Sequence, residues 1–281
     1  HEVKIISPQF VKPFVQSNKN DAADAEAICE AASRRNMRFV SIKSVAQQDI
    51  QTLHRVRKRR IHNRTALSNE IRSILAEFGI VFPQTRRALE DGIKGLLNSS
   101  IPHEELSCDG LDNLQELYSE FLELDKRIKI VDLKLEKVAQ EPHCQRLFKV
   151  GGLGILSVTA LAVALADPRQ FKNGRNFAAW LGLVPKHIGT GGKNIILGIS
   201  KRGNTYLRTL LIHGARAKLR GINQKVANGT KLDPLEDWAY RLCQRQGYNK
   251  ASVALANKNA RVAWSITANE TDFDPKEAVT L

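Results

Sequence analysis

The chain has no Asp or Glu between Pro168 and Leu232, although the same stretch holds thirteen Lys and Arg. Without internal counter-charge the segment cannot neutralise itself, and a concentrated field attracts phosphates far better than the same charge spread evenly. The whole chain has a net charge of +14 and a pI near 9.8, so this segment accounts for nearly all of the excess. A polyanion is the expected partner, and nucleic acid the first candidate. Long apolar runs are also missing. The longest, Ile155 to Ala166, includes Ser157 and Thr159 and is only about half of what a bilayer span needs, which excludes a membrane helix. The four cysteines, Cys29, Cys108, Cys144 and Cys243, lie far apart. That spacing excludes a paired zinc motif and gives no sign of a secreted disulfide framework, so a reducing cytoplasm is expected. No signal-peptide pattern precedes the strand-like Glu2 to Ser7, and a start at His1 reads as a fragment lacking its beginning.

What is present is mostly helical periodicity. The expected fold is mixed α/β, predominantly α, in two or three modules. A short strand and a proline-containing loop, Glu2 to Val15, precede a helix capped by Asn20 and running to about Ser33; Met37 to Ile42 reads as another strand. From Ser44 to about Gly79, Leu53, Val56, Ile61, Leu67, Ile71, Ile74 and Leu75 recur at roughly helical spacing. Six Lys and Arg between Arg55 and Arg64 give this helix a basic face, suited to a nucleic-acid groove or to a packed partner helix with a solvated flank. Leu111 to Ala139 carries a heptad seam (Leu114, Leu117, Phe121, Leu124, Ile128, Val131, Leu135, Val138), which fits an antiparallel hairpin with the first long helix or a dimerising coiled coil. The expected division is 1–80, an N-terminal domain with the first long helix; 81–141, a helical coiled-coil linker; 142–232, a basic helical domain with glycine-rich turns; and 233–281, a C-terminal helix with a polar tail after Asn269.

Four segments have the composition of chemical sites. Val150-Gly151-Gly152-Leu153-Gly154 before an apolar helix has the shape of a helix-hairpin-helix turn, in which Gly152 and Gly154 let backbone approach phosphate; it equally fits a plain tight turn. Asp21 and Asp24 stand three residues apart on one helical face, where they suit Mg2+; carboxylates in a first turn after Asn20 are also favoured by the helix dipole alone. Gly189-Thr190-Gly191-Gly192-Lys193 and Gly198-Ile199-Ser200-Lys201-Arg202-Gly203-Asn204 set hydroxyls among glycines and cations. A hydroxyl attacking a phosphodiester needs that accessibility and positive charge, though such runs are also ordinary flexible turns. Arg208, Arg216, Lys218 and Arg220 on the following helix are expected to track phosphates, with Lys193, Lys201 and Arg202.

Two stretches join these segments into a recognisable pattern. Val11-Lys12-Pro13-Phe14-Val15 through Asn18-Lys19-Asn20-Asp21-Ala22-Ala23-Asp24-Ala25-Glu26-Ala27-Ile28, and Phe177-Ala178-Ala179-Trp180-Leu181-Gly182-Leu183-Val184-Pro185 through Leu207-Arg208-Thr209-Leu210-Leu211-Ile212-His213-Gly214-Ala215-Arg216-Ala217, resemble the IS110 family of bacterial insertion-sequence transposases, in particular its IS1111 branch. The resemblance implies a RuvC-like domain with an Asp-Glu-Asp-Asp metal site, a coiled-coil linker and a C-terminal domain that supplies a serine nucleophile. It also implies Mg2+, DNA and a structured guide RNA as partners, and a homo-oligomer, dimer or tetramer. By residue match Asp21 and Asp24 are the last two acids of the metal site, and the first two lie upstream of His1. The family's serine position falls at Gly189-Thr190, leaving Thr190 as the nearest hydroxyl, so impaired recombination is expected. The alternative is a non-catalytic DNA- or RNA-binding module.

Overall fold

The computed structural model describes residues 3–16, 20–37, 39–98, 106–190 and 193–280, with the side chains of Thr190, Lys193 and Asn194 outside that description. The chain is predominantly helical. Strand β1 (Ile5–Ile6) pairs antiparallel with β2 (Phe39–Val40), and between them lie α1 (Pro8–Val11) and α2 (Asp21–Ser33). The Asn20 side chain accepts the Ala23 N–H at 2.7 Å, so the sequence-expected cap forms.

The first long helix, α3 (Val45–Glu77), starts at a capping box in which Ser44 and Gln47 satisfy each other's backbone N–H groups. Such a box contributes about 1 kcal/mol and fixes where the helix begins. After α4 (Arg86–Asn98), α5 (Cys108–Val138) returns alongside α3. Arg57 pairs with Asp132 at 2.5 Å and Arg64 with Asp125 at 2.6 Å, so the two helices run antiparallel. The heptad seam is therefore used inside the chain: Leu67, Ile71 and Leu75 bury with Leu114, Tyr118 and Phe121, and α4 closes that end with Leu89, Ile93 and Leu96.

A second core holds the rest of the chain. Helices α6 (Pro142–Phe148), α7 (Ile155–Ala164) and α8 (Gly174–Trp180) lead to a hairpin of β3 (Pro185–Thr190) and β4 (Lys193–Ile199), then to α9 (Thr205–Ala227), α10 (Pro234–Gln246) and α11 (Tyr248–Asn269). Helix α11 is the centre of this core because its buried face is built of small residues, Ala251, Ala256, Ala260 and Ala263. Neighbouring backbones can then come close; a Cβ on Gly174 of α8 would stand 2.9 Å from the Arg261 carbonyl oxygen.

Two expectations are corrected here. The glycine-rich run is not a loop, because Gly189, Thr190 and Lys193 belong to paired strands, while Gly191 and Gly192 lie outside the described residues. The region after Asn269 is not a polar tail. It ends in α12 (Pro275–Thr280), which buries Ala278 and is held by the Lys258 ammonium donating to the Ala278 and Val279 carbonyls at 3.0 and 2.6 Å. Among the described residues no helix is long and apolar enough to cross a membrane.

Candidate nucleic-acid interface

The acid-free segment divides into cations turned inward and cations facing solvent. Arg208 is turned inward. The residue is 8% exposed, and its guanidinium donates to the Leu181 and Arg202 carbonyls, each at 2.9 Å, and to the Thr205 hydroxyl at 3.1 Å. The sequence pattern had placed it among the phosphate contacts; its donors instead lock the root of the β3–β4 hairpin. Lys218 and Lys225 are drawn to Glu236, the second acid beyond the acid-free run, at 2.5 and 2.7 Å. Burial alone would push the Glu236 carboxyl up, but the two ammonium hydrogen bonds and the Asp233 N–H outweigh it and bring its pKa down to about 2. Arg216 donates to the Asn249 side chain at 3.2 Å.

Arg169, Lys172, Arg175, Lys186, Lys201, Arg202, Arg220 and Lys231 are exposed, as are Arg216 and Lys225 despite their polar partners. Lys201 and Arg202 sit on the loop that returns from β4 to α9, and this loop is rigid for identifiable reasons. The Ser200 N–H donates to the Val184 carbonyl at 2.8 Å and the Lys201 N–H to Gly182 at 3.2 Å, extending the hairpin ladder past its strands. A Cβ on Gly182 would meet Arg202 backbone at 2.2 Å and one on Gly203 would meet the Trp180 carbonyl oxygen at 1.8 Å, so only glycine permits this closure. Lys201 itself is held at φ 56, a left-handed conformation that few non-glycine residues adopt. Trp180, stacked on Phe177 at 5.8 Å between ring centroids, supports the same corner.

The glycine turn before α7 is also packed. The Asn259 side chain donates to the Gly151 carbonyl at 3.0 Å, and Gly152, at φ 93, lies against Gly214 of α9, where a Cβ on Gly214 would stand 1.9 Å from the Gly152 oxygen. The Gly152 requirement is thus met by helix approach, whereas Gly154 is exposed at the N-cap of α7 with no side-chain cap on the helix N–H groups.

Asp21 and Asp24 occupy the first turn of α2, Asp21 exposed and Asp24 half-buried. Among the described residues no cluster of three or more His, Cys, Asp or Glu is placed to hold a metal. Of the basic run on α3, Arg57, Arg60 and Arg64 bind acceptors on α5, while Arg55, Lys58 and Arg59 stay exposed.

No local spacing or motif singles out His54. It is 4% exposed, between the two cores, and lines a cavity of about 330 Å3 with Lys43, Gln51, Asp167 and Tyr206. The Thr159 hydroxyl donates its one proton to the Ile155 carbonyl at 2.7 Å, so it accepts from His54 Nε2–H at 3.1 Å. Nδ1 then accepts from the Tyr206 hydroxyl at 2.9 Å. Burial, assisted by the Arg57 guanidinium, pushes the imidazole down to about 4, and burial raises the Tyr206 phenol. Nearby, the Ser41 hydroxyl donates to Asp167 at 2.7 Å and fastens the end of β2 to the second core.

A basic, acid-free hairpin on a rigid root, carried by a helical scaffold, is the surface of a protein that handles nucleic acid. Sequence comparison agrees: residues 144–228 match the transposase IS116/IS110/IS902 family and residues 1–80 match a DEDD-type IS110 transposase domain, so the chain belongs to this family of insertion-sequence transposases. It is 46% identical to a probable family 20 transposase of Pseudomonas aeruginosa over 98% of this chain and 80% of that protein. It is 43% identical to the transposase for insertion sequence element IS1111A of Coxiella burnetii, over 96% of this chain and 72% of that one. The corresponding figures for the transposase for IS1328 of Yersinia enterocolitica are 38%, 97% and 79%. Membership implies DNA binding.

Proposed function

We propose that the chain grips the DNA of its insertion sequence with the exposed cations around the β3–β4 hairpin and cleaves and rejoins it in a Mg2+-dependent reaction, at a rate impaired by the hindered threonine that stands in for the family's serine. The observation that carries this reading is the outward-facing set Lys186, Lys201 and Arg202 on a root made rigid by Arg208, Gly182 and Gly203. Asp21 and Asp24, one helical turn apart and not buried, fit an ion that takes one or two carboxylates and fills its remaining positions with water and substrate phosphate. When bound, Mg2+ supplies charge neutralisation at the scissile phosphate.

The nucleophile is a hydroxyl on the hairpin. Thr190 ends β3 beside the turn, and Ser200 follows β4 at the root, so a strand's length of roughly 20 Å separates them and one reacting phosphate can meet only one. Thr190 is the hydroxyl nearest the position, Gly189-Thr190, at which the family pattern carries its serine. Attack by its oxygen forms a phosphoester and releases the sugar oxygen of the cut strand, with Lys193 beside it in register. Gly154 offers backbone N–H groups to a further phosphate at the open start of α7. A structured RNA of the element pairs with donor and target DNA. Several copies assemble through the outer face of α5, where Leu122, Ile130 and Leu133 are 45%, 46% and 50% exposed.

The test is a denaturing gel of the chain with Mg2+, element-end DNA and its RNA. A covalent protein–DNA adduct is expected to form slowly with the threonine hydroxyl, to be lost in Asp24→Asn and in Thr190→Val, and to form faster in Thr190→Ser. Salt-dependent binding with no Mg2+-dependent adduct or cleavage would instead make the protein a binding module.

A further inference from the structure

The β3–β4 hairpin leaves an apolar strip uncovered. Alternate side chains of a strand share one face, so Ile188, Ile195 and Leu197 stand together, with Ile188 directly opposite Ile195 in the register. They are 43%, 57% and 44% exposed, and Ile196 on the other face is 66% exposed. Folding does not explain these side chains: among the described residues no third strand pairs with the ribbon, and its root is already locked by Arg208 and the two glycines.

Charge and shape around the strip select its occupant. Lys186, His187, Lys201 and Arg202 are exposed beside it, and the nearest acid in sequence lies beyond the hairpin on either side, at Asp167 and Asp233. A second copy of the chain would bring the same cationic hairpin, setting like charges against each other. DNA supplies the opposite charge, and the major groove of B-form DNA, about 12 Å wide, admits a two-stranded ribbon. The major groove of A-form RNA is too narrow for side chains. The apolar groups on the floor of the DNA major groove are the C5-methyl groups of thymine.

We propose that the β3–β4 hairpin enters the DNA major groove and covers thymine methyl groups with Ile188, Ile195 and Leu197, while Lys201 and Arg202 hold the flanking phosphates. The proposal rests on the DNA-handling reading above and adds to it a base preference read by the protein itself. Thymine-rich DNA is the class of site it favours.

The experiment compares two short duplexes, one of alternating A and T and one with deoxyuridine in place of every thymidine, by fluorescence anisotropy across a salt series. The exchange removes the methyl groups and keeps phosphates and pairing. The full chain is expected to bind the thymidine duplex more tightly, by about fourfold for each methyl covered. Ile188→Ser with Ile195→Ser should bind both duplexes alike, with the salt slope of the unaltered chain; both side chains are exposed, so folding is retained. Lys201→Gln should lower the slope and keep the thymidine preference. Equal binding of both duplexes by the unaltered chain, with a steep salt slope, overturns the groove proposal and leaves DNA handling standing. No salt-dependent binding of either duplex overturns DNA handling itself. Tighter binding of an RNA duplex, or a change of sedimentation in the double variant in place of lost thymidine preference, overturns the proposed occupant.

Discussion

Replacing Arg208 by Met separates two accounts of the same residue. The structure gives its guanidinium three internal acceptors, two of them the Leu181 and Arg202 carbonyls, in a site that is 8% exposed. Methionine keeps much of the volume and removes every donor. Hydrogen bonds to a charged group contribute about 1.5–3 kcal/mol each, and carbonyls left without donors bear their own desolvation cost, so a loss of about 3 kcal/mol is expected. In a chain of this size that corresponds to a melting temperature lower by roughly 6–12 °C. Amide exchange localises the effect: the Ser200 and Lys201 N–H groups, which donate to Val184 and Gly182, should exchange faster, while amides of the α3–α5 core keep their protection. The salt slope of DNA binding should not change, because the side chain touches no phosphate. Unchanged stability with a slope reduced by about 1 would refute the clamp and return Arg208 to the phosphate-tracking role expected from its helical position.

Acid should destabilise the protein in two separable steps. His54 is buried neutral with its pKa lowered from 6.5 to about 4, so as pH falls through that window the unfolded chain takes up a proton that the folded one refuses. About 3 kcal/mol of stability should be lost by pH 4, and His54→Gln should flatten urea-unfolding stability between those values. Glu236, lowered from 4.5 to about 2, contributes stability that is full above 4.5 and disappears as pH approaches 2. Glu236→Gln should cost on the order of 3 kcal/mol at neutral pH and remove that second step, since Lys218 and Lys225 lose their shared carboxylate. Preserved acid sensitivity in both variants would show that neither contact sets the pH dependence.

The helical parts of this architecture were legible because their signals are local. Ser44 and Gln47 mark the start of α3, and the seam from Leu114 to Leu135 marks a helix needing an apolar partner. That the partner is α3 was one of two options, decided by the complementary pairs Arg57–Asp132 and Arg64–Asp125. The hairpin was hidden by Gly189 to Gly192, which resemble a flexible turn, although the β-branched Ile188, Ile195 and Ile196 flanking it carried a strand signal. Helical spacing cannot tell whether Arg208 points to solvent or to carbonyls folded beneath it, and it assigns Arg208, Arg216, Lys218 and Arg220 the same role. The acid that holds Lys218 and Lys225, Glu236, lies just outside the charge window that drew notice. The His54 contacts were invisible because Thr159 and Tyr206 lie 105 and 152 residues away.

The central claim, that only some cations of the acid-free segment face DNA, is tested most directly by the salt dependence of duplex binding in matched variants. Lys201→Gln and Arg202→Gln should each reduce the slope of log affinity against log salt by about 1, while Lys218→Gln, whose ammonium is held by Glu236, should leave it unchanged. Equal reductions in all three variants would contradict the division and show a diffuse cationic surface.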